Sequence, residues 1–226
     1  MKKVIEFLSL LRENNNREWF HANKSMYKSA EKEFNELTEQ LIEEIAKFDP
    51  SVGGLTVKDC TYRIYRDIRF SPNKLPYKTH IGAYIAPKGK NSGYAGYYFH
   101  IEQSGGGFLE GNLMTSGLYM PEPKVLKSVR EEIDYNGELF EENIRKATGF
   151  VLEDEAAKLK RVPKGFPLDH KYADLLKHKD YFLSKSVSND FLLKPDLAKR
   201  AAAEFSKTVD FVKQINRAVE FAFEEE

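Results

Sequence analysis

Between Lys58 and Lys90 the chain places eight lysines and arginines against two aspartates, Asp59 and Asp67, although over the whole protein 35 basic and 35 acidic residues cancel. A local excess of positive charge in a neutral chain asks for an anion. Its candidate ligand-binding residues are Arg63, Arg66, Arg69, Lys74 and Lys78. A guanidinium keeps its proton, so it must meet a carboxylate, carbonyls or a bound anion, and its planar fork suits a bidentate partner. If the chain is extended from Thr61 to Asp67, alternation sends Tyr62, Ile64 and Arg66 to one face and Arg63, Tyr65 and Asp67 to the other. Arg66 then shares the apolar face. Two readings follow: an internal pair with Glu102 or Glu110 that fixes the sheet, or a ligand site. Lys74, Lys78, Lys88 and Lys90 also fit a plain role as solvated loop charge.

Proton-transfer chemistry near neutral pH points first to histidine. The candidates are Tyr77, His80 and His100. Tyr77, Lys78 and His80 close the loop Phe70 to His80, which Pro72 and Pro76 stiffen. His100 lies in a strand pattern in register with Tyr98 and Glu102, and His80 is placed to meet it across strands. The other histidines, His21, His170 and His178, are far apart in sequence, and neither H-E-x-x-H nor a paired-cysteine spacing occurs, so no metal site is expected. The lone Cys60 excludes an internal disulfide and reads as a small buried side chain. Gly105, Gly106, Gly107 and Gly111 lie between strand patterns without the spacing of a phosphate-binding loop, and read as a hairpin turn. No nucleophile elbow is present. A second basic cluster, Lys160, Arg161 and Lys164, precedes a Pro-Lys-Gly-Phe turn and an expected helix that Asp169 would cap. There Arg161 and Lys164 either complete the anion site at a helix N-terminus or sit on an exposed loop tied down by Phe166.

The elements that must carry these residues follow from periodicity. Asn14, Asn15 and Asn16 break a short amphipathic start and cap a long helix, whose apolar positions Phe20, Tyr27, Ala30, Phe34, Leu37, Leu41, Ile45 and Phe48 recur at helical steps. Strands are expected at about 57–67, 81–87, 94–103 and 106–113, with another from Tyr181 to Ser188. Helices are expected from Pro121 or Pro123 and from Pro195. The fold class is therefore α+β: an antiparallel sheet of about four to five strands from the middle of the chain, covered by long N- and C-terminal helices. Residues 1–226 are read as a single domain, since 41% hydrophobic residues suffice for one sizeable core. No apolar run approaches the roughly 20 residues of a bilayer span, and the opening residues meet charge too soon for a secretory signal. The expected location is the cytoplasm.

Several separated motifs are also similar to one known family. NNNREWF (Asn14 to Phe20), RIYRDIRFSPNKLPYKTHIGAY (Arg63 to Tyr84), YYFHIE (Tyr97 to Glu102), GLYMP (Gly117 to Pro121) and LKRVPKGF (Leu159 to Phe166) resemble, in the right order, the domain-of-unknown-function family numbered twenty-four sixty-one. The likeness runs over nearly the whole chain and implies one domain. It implies no activity, substrate or cofactor.

Three functional readings follow. The leading one is a basic, aromatic-lined pocket for a small anionic ligand bearing phosphate or carboxylate, with an enzyme as one form of it and no cofactor. The second is a nucleic-acid-binding module in which Tyr94, Tyr97, Tyr98 and Phe99 stack bases on a sheet face. The third is a non-catalytic scaffold with an exposed apolar patch.

Overall fold

A computed structural model describes residues 1–105, 108–109, 111–152 and 158–224. Helix α1 (Lys2–Glu13) buries Val4, Phe7, Leu8 and Leu11, one stripe at three- and four-residue steps. The Asn16 side chain then accepts the Trp19 N–H and starts α2 (Arg17–Ala22). The expected single long helix is interrupted at Asn23. Its Nδ2 donates to Trp19 O at 2.9 Å, and this local bond competes with continued helix geometry, so a separate α3 (Lys24–Ala46) begins beyond it.

The strand expected at 57–67 does not form. Asp59 accepts from both the backbone N–H (2.8 Å) and the hydroxyl (2.6 Å) of Thr56, and this reciprocal cap closes a one-turn helix, α4 (Val57–Cys60). The chain then runs irregularly to Thr79, pinned by isolated bridges between Thr61 and Ala83 and between Tyr65 and Tyr77.

Among the described residues five antiparallel strands follow: β1 (His80–Ile85), β2 (Gly96–Glu102), β3 (Leu113–Leu118), β4 (Val151–Leu152) and β5 (Tyr181–Ser186). Their spatial order is β1-β2-β3-β5-β4. The strand expected at 106–113 starts only at Leu113; residues 106, 107 and 110 lie outside the described ones, and 108, 109, 111 and 112 are loop. Between and after the strands come α5 (Pro123–Lys146), α6 (Ala173–Leu176), α7 (Asn189–Leu193), α8 (Leu197–Phe205) and α9 (Val209–Glu224). The closing helix is split between α8 and α9 by a tight turn, where Thr208 Oγ1 lies 2.7 Å from both Phe205 O and Ser116 Oγ. The protein is thus α+β, with an antiparallel sheet from the middle of the chain and helices at both ends. Among the described residues no helix is long and apolar enough to cross a membrane.

Ring and hydroxyl contacts between helices and strands fall on one sheet face. Tyr97 meets Phe48 and Phe205, its hydroxyl donates to Asp49 at 2.8 Å, and Tyr181 meets Phe140. Two buried asparagines then fix the chain leading into the strands. Asn15 accepts the Tyr77 N–H at 3.1 Å and donates to the Tyr77 carbonyl at 3.0 Å. Asn216 does the same for Ala95, at 2.8 and 3.0 Å. An amide side chain satisfies both backbone groups of one residue without a ladder partner. Asn216→Ala leaves the N–H and carbonyl of fully buried Ala95 unpaired, and urea unfolding is expected to show a loss of about 2–4 kcal/mol; a loss under about 0.5 kcal/mol would place this clamp among interactions water replaces.

Candidate functional site

Strand β2 sends Tyr97, Phe99 and Ile101 into the core and Tyr98, His100 and Glu102 to the opposite face. On that face the register sets His80 beside Glu102, Gly82 beside His100 and Tyr84 beside Tyr98. Thr115 of β3 flanks Tyr98, and Ser184 of β5 flanks Thr115. A row of four hydroxyl side chains therefore crosses four strands. Gly82 makes room in the next row: a Cβ there would lie 2.4 Å from Tyr98 Oη, so the phenol lies over β1 and turns towards His100.

The phenol oxygen is 2.9 Å from His100 Nδ1, and His100 Nε2 is 3.4 Å from Glu102 Oε2, a long contact. Both His100 and Glu102 are buried. The Glu102 carboxylate accepts the backbone N–H of Leu109 at 2.6 Å and of Phe108 at 3.0 Å, while the Thr79 hydroxyl stands 3.5 Å away. With donors satisfying the carboxylate, the network assigns the imidazole proton to Nε2, because a bare Nε2 would set two lone pairs face to face. Nδ1 then accepts, and Tyr98 donates to it.

His80 closes this corner. Its ring stacks on Phe108 at 4.3 Å and lies 4.9 Å from that of His100, while its Nδ1 is buried without a partner among the described residues. Burial, reinforced by His100 and by the positive charges of Lys78 and Arg66 and opposed by Glu102, pushes His80 down to about 4. Burial alone pushes His100 down to about 4. Burial, then the neighbouring Tyr62 and Glu102, holds the Tyr98 phenol above the ordinary tyrosine range. Behind Glu102 opens a cleft of about 330 Å³ lined in part by Gln103, Asn112, Ser186 and Asn189.

The basic residues divide by what they touch. Arg66 donates to Leu75 O at 3.1 Å and Ser71 Oγ at 3.2 Å, so its partners are loop groups and not Glu102; Glu110 lies outside the described residues. Arg69 is forked onto Asp67, with contacts from 2.6 to 3.2 Å. Lys74 caps the carbonyls of Ile68 (3.0 Å) and Arg69 (3.5 Å). Lys78 differs. It is half-buried, lies 5.5 Å over the Tyr62 ring, and meets no carboxylate among the described residues. Burial and then Arg63 hold its ammonium below the usual lysine range. Arg63 itself is exposed, with Lys78 and Asp67 in its field. Lys90 lies 5.9 Å from the same ring and donates to Lys58 O at 2.5 Å.

Other expectations place residues elsewhere. Tyr77 is a core residue, stacked on Phe20 with ring centroids 3.9 Å apart. Arg161 and Lys164 are exposed, and the helix after them begins only at Ala173 with no side-chain cap, so Asp169 does not cap it and the basic pair does not face its N-terminus. Tyr94, Tyr97 and Phe99 are buried, which leaves Tyr98 alone of the four expected stacking rings on the open face. Cys60 is buried, its thiol pushed up to about 11. No group of three or more histidine, cysteine, aspartate or glutamate side chains among the described residues is arranged to hold a metal. Tyr98, read from sequence as a stacking ring, and Glu102, read as a partner for Arg66, were not read as members of one site with His100. Their signal was the same two-residue alternation that marked His100.

The family model for conserved hypothetical protein (DUF2461) matches residues 3–213. No curated protein and no solved structure matches the chain.

The neutral histidines have a measurable consequence. Between about 4, where His100 titrates when folded, and about 6.5, where it titrates when unfolded, the unfolded chain binds more protons, so stability rises with pH across that window and is flat above it. His100 is expected to contribute on the order of 3 kcal/mol to that rise. Urea unfolding of the parent and His100→Gln from pH 4 to 7.5 tests this; equal slopes for both would place the His100 titration near its ordinary value.

Proposed function

We propose that in this chain, which belongs to the DUF2461 family, the open sheet face bearing Tyr98 binds a small anionic ligand carrying phosphate or carboxylate at the edge held by Lys78. The observation that carries this reading is Lys78 itself. An ammonium costs free energy when it is taken from water, and such a group normally meets an acceptor or a carboxylate. Lys78 is half-buried against the face of Tyr62 and has neither among the described residues. Arg63 adds charge at the same edge, whereas Arg69 and Lys74 are occupied within their loop.

Aromatic surface and further charge near Lys78 support the reading. Tyr62 and Tyr98 present ring surface, and Arg66 reinforces the potential that reaches His80. An anion there would draw on Lys78 as a point charge. Stacking of several bases is disfavoured by the burial of Tyr94, Tyr97 and Phe99.

Thermal-shift measurements with inorganic phosphate, pyrophosphate, citrate and acetate are expected to show stabilisation by at least one anion at millimolar concentration; ligand at ~100 times its dissociation constant adds about 2.7 kcal/mol. Lys78→Met should abolish that response, while Lys74→Met, at a lysine already satisfied by carbonyls, should keep it. An equal response in both variants would show binding away from Lys78 and sink the proposal.

A further inference from the structure

We infer that Tyr98 is a nucleophile, with His100 as its general base and Glu102 as the residue that positions His100. The substrate class is an acyl ester that carries a phosphate or carboxylate, and that part rests on the anion site at Lys78. The arrangement is the nucleophile–base–acid order seen in acyl-transfer enzymes, with a phenol in the place of an alcohol.

The geometry carries the assignment. The hydroxyl oxygen and the base nitrogen are in hydrogen-bond reach, and the second ring nitrogen faces a carboxylate. All three groups come from alternate residues of one strand, so their spacing is fixed by the pleat and not by loop conformation. Glu102 is anchored on its other side by the N–H groups of Phe108 and Leu109. Of the three, Tyr98 alone is only partly buried, and it stands on the face that Tyr62 and Lys78 border. Gly82 is what permits the phenol to lie in this position, since any side chain there would occupy it.

In the reaction, Tyr98 Oη bonds to the ester carbonyl carbon as its proton passes to His100 Nδ1. Burial disfavours the imidazolium, so it is transient, and the Glu102 carboxylate faces it at Nε2. As the tetrahedral adduct collapses, the ester C–O bond breaks and the departing alkoxide takes the proton from Nδ1. The products are acyl-Tyr98, an alcohol and neutral His100. Water attacking the acyl group in the reverse sense restores the phenol.

The test uses the whole chain and two aryl probes, benzenesulfonyl fluoride and 4-(fluorosulfonyl)benzoate, with sites of modification read by peptide mass spectrometry. Here Oη–S forms, S–F breaks, fluoride leaves and the phenolic proton goes to His100. Tyr98 is expected to be labelled at least tenfold faster than the exposed Tyr62, Tyr119 and Tyr135, and His100→Gln should lose at least tenfold of that rate. Labelling of Tyr98 no faster than those three, or undiminished in a folded His100→Gln, overturns the inference. Because that variant replaces a buried ring, ¹⁵N-histidine spectra of the parent supply a second decision: His100 held as the Nε2–H tautomer supports the assignment, and an Nδ1–H tautomer overturns it. Glu102→Gln is expected to relax that tautomer preference, which a merely structural glutamate would not do. Faster labelling by the carboxylate probe, lost in Lys78→Met, ties the nucleophile to the anion site. Equal rates with both probes, Tyr98 still leading, keep the nucleophile and discard the anion reading alone.

Discussion

The two-residue alternation of β2 is the constraint on which both halves of the molecule depend. One face of this strand must satisfy a core: Tyr97, Phe99 and Ile101 are fully buried against helices. The other face carries Tyr98, His100 and Glu102, and a slip of one residue would exchange the two sets. Placing a carboxylate and an imidazole in the apolar layer would cost far more than a lost methylene, so the register is enforced by the chemistry of both faces at once. The sheet around β2 is cut to fit. Gly82 leaves space for the Tyr98 phenol, and Gly117, at φ +135, sits where a Cβ would strike Tyr181 O at 2.2 Å. The second glycine lets β3 and β5 approach closely, while the first lets a side chain cross its neighbour.

The irregular segment before β1 is held by side chains, not by a ladder. Asn15 grips both backbone groups of Tyr77, the Tyr77 ring stacks on Phe20, and the bridge from Thr61 to Ala83 fixes the other end. Between these anchors Arg66, Arg69 and Lys74 spend their donors on the loop's own carbonyls, hydroxyl and Asp67. Much of the positive charge therefore contacts groups of the loop itself. What the loop delivers to the sheet face is one lysine, placed by the neighbouring clamped tyrosine.

Periodicity made the long apolar stripe of α3 and the pattern of β2 legible, because both are read from residues a few positions apart. The meeting of His80 and His100 was legible for the same reason once the strands were taken as neighbours. Misreadings arose where a single polar side chain outweighed the pattern. Asp59 bonding back to Thr56 turned an apparent strand start into a helical turn, and Asn23 bonding to Trp19 O divided one helix into two. Arg66 was read either as pairing with Glu102 or Glu110 or as part of a ligand site; it donates to one carbonyl, of Leu75, and to the Ser71 hydroxyl of its own loop, and such partners leave no mark in composition. Tyr98 and Glu102 were visible as positions and not as a site. Their significance depends on Gly82 across the strand and on N–H groups of a loop, which only three-dimensional proximity joins to them.

Charge at the site is segregated, and this bears on how the proposed anion would enter. The anionic end, Glu102, is buried at the close of β2, capped by the loop at Phe108 and Leu109 and walled by two histidines that burial keeps neutral at physiological pH. The cationic end, Lys78 with Arg63, stands at the solvent edge beside Tyr62. An anion approaching from the Glu102 end would meet a carboxylate in a low-dielectric wall, where repulsion is least screened. Approaching from the Lys78 edge, it would meet that lysine first and reach the Tyr98 hydroxyl before the Glu102 carboxylate. For the proposed ligand, a direction of entry would thus follow from the order of residues along one strand and one loop.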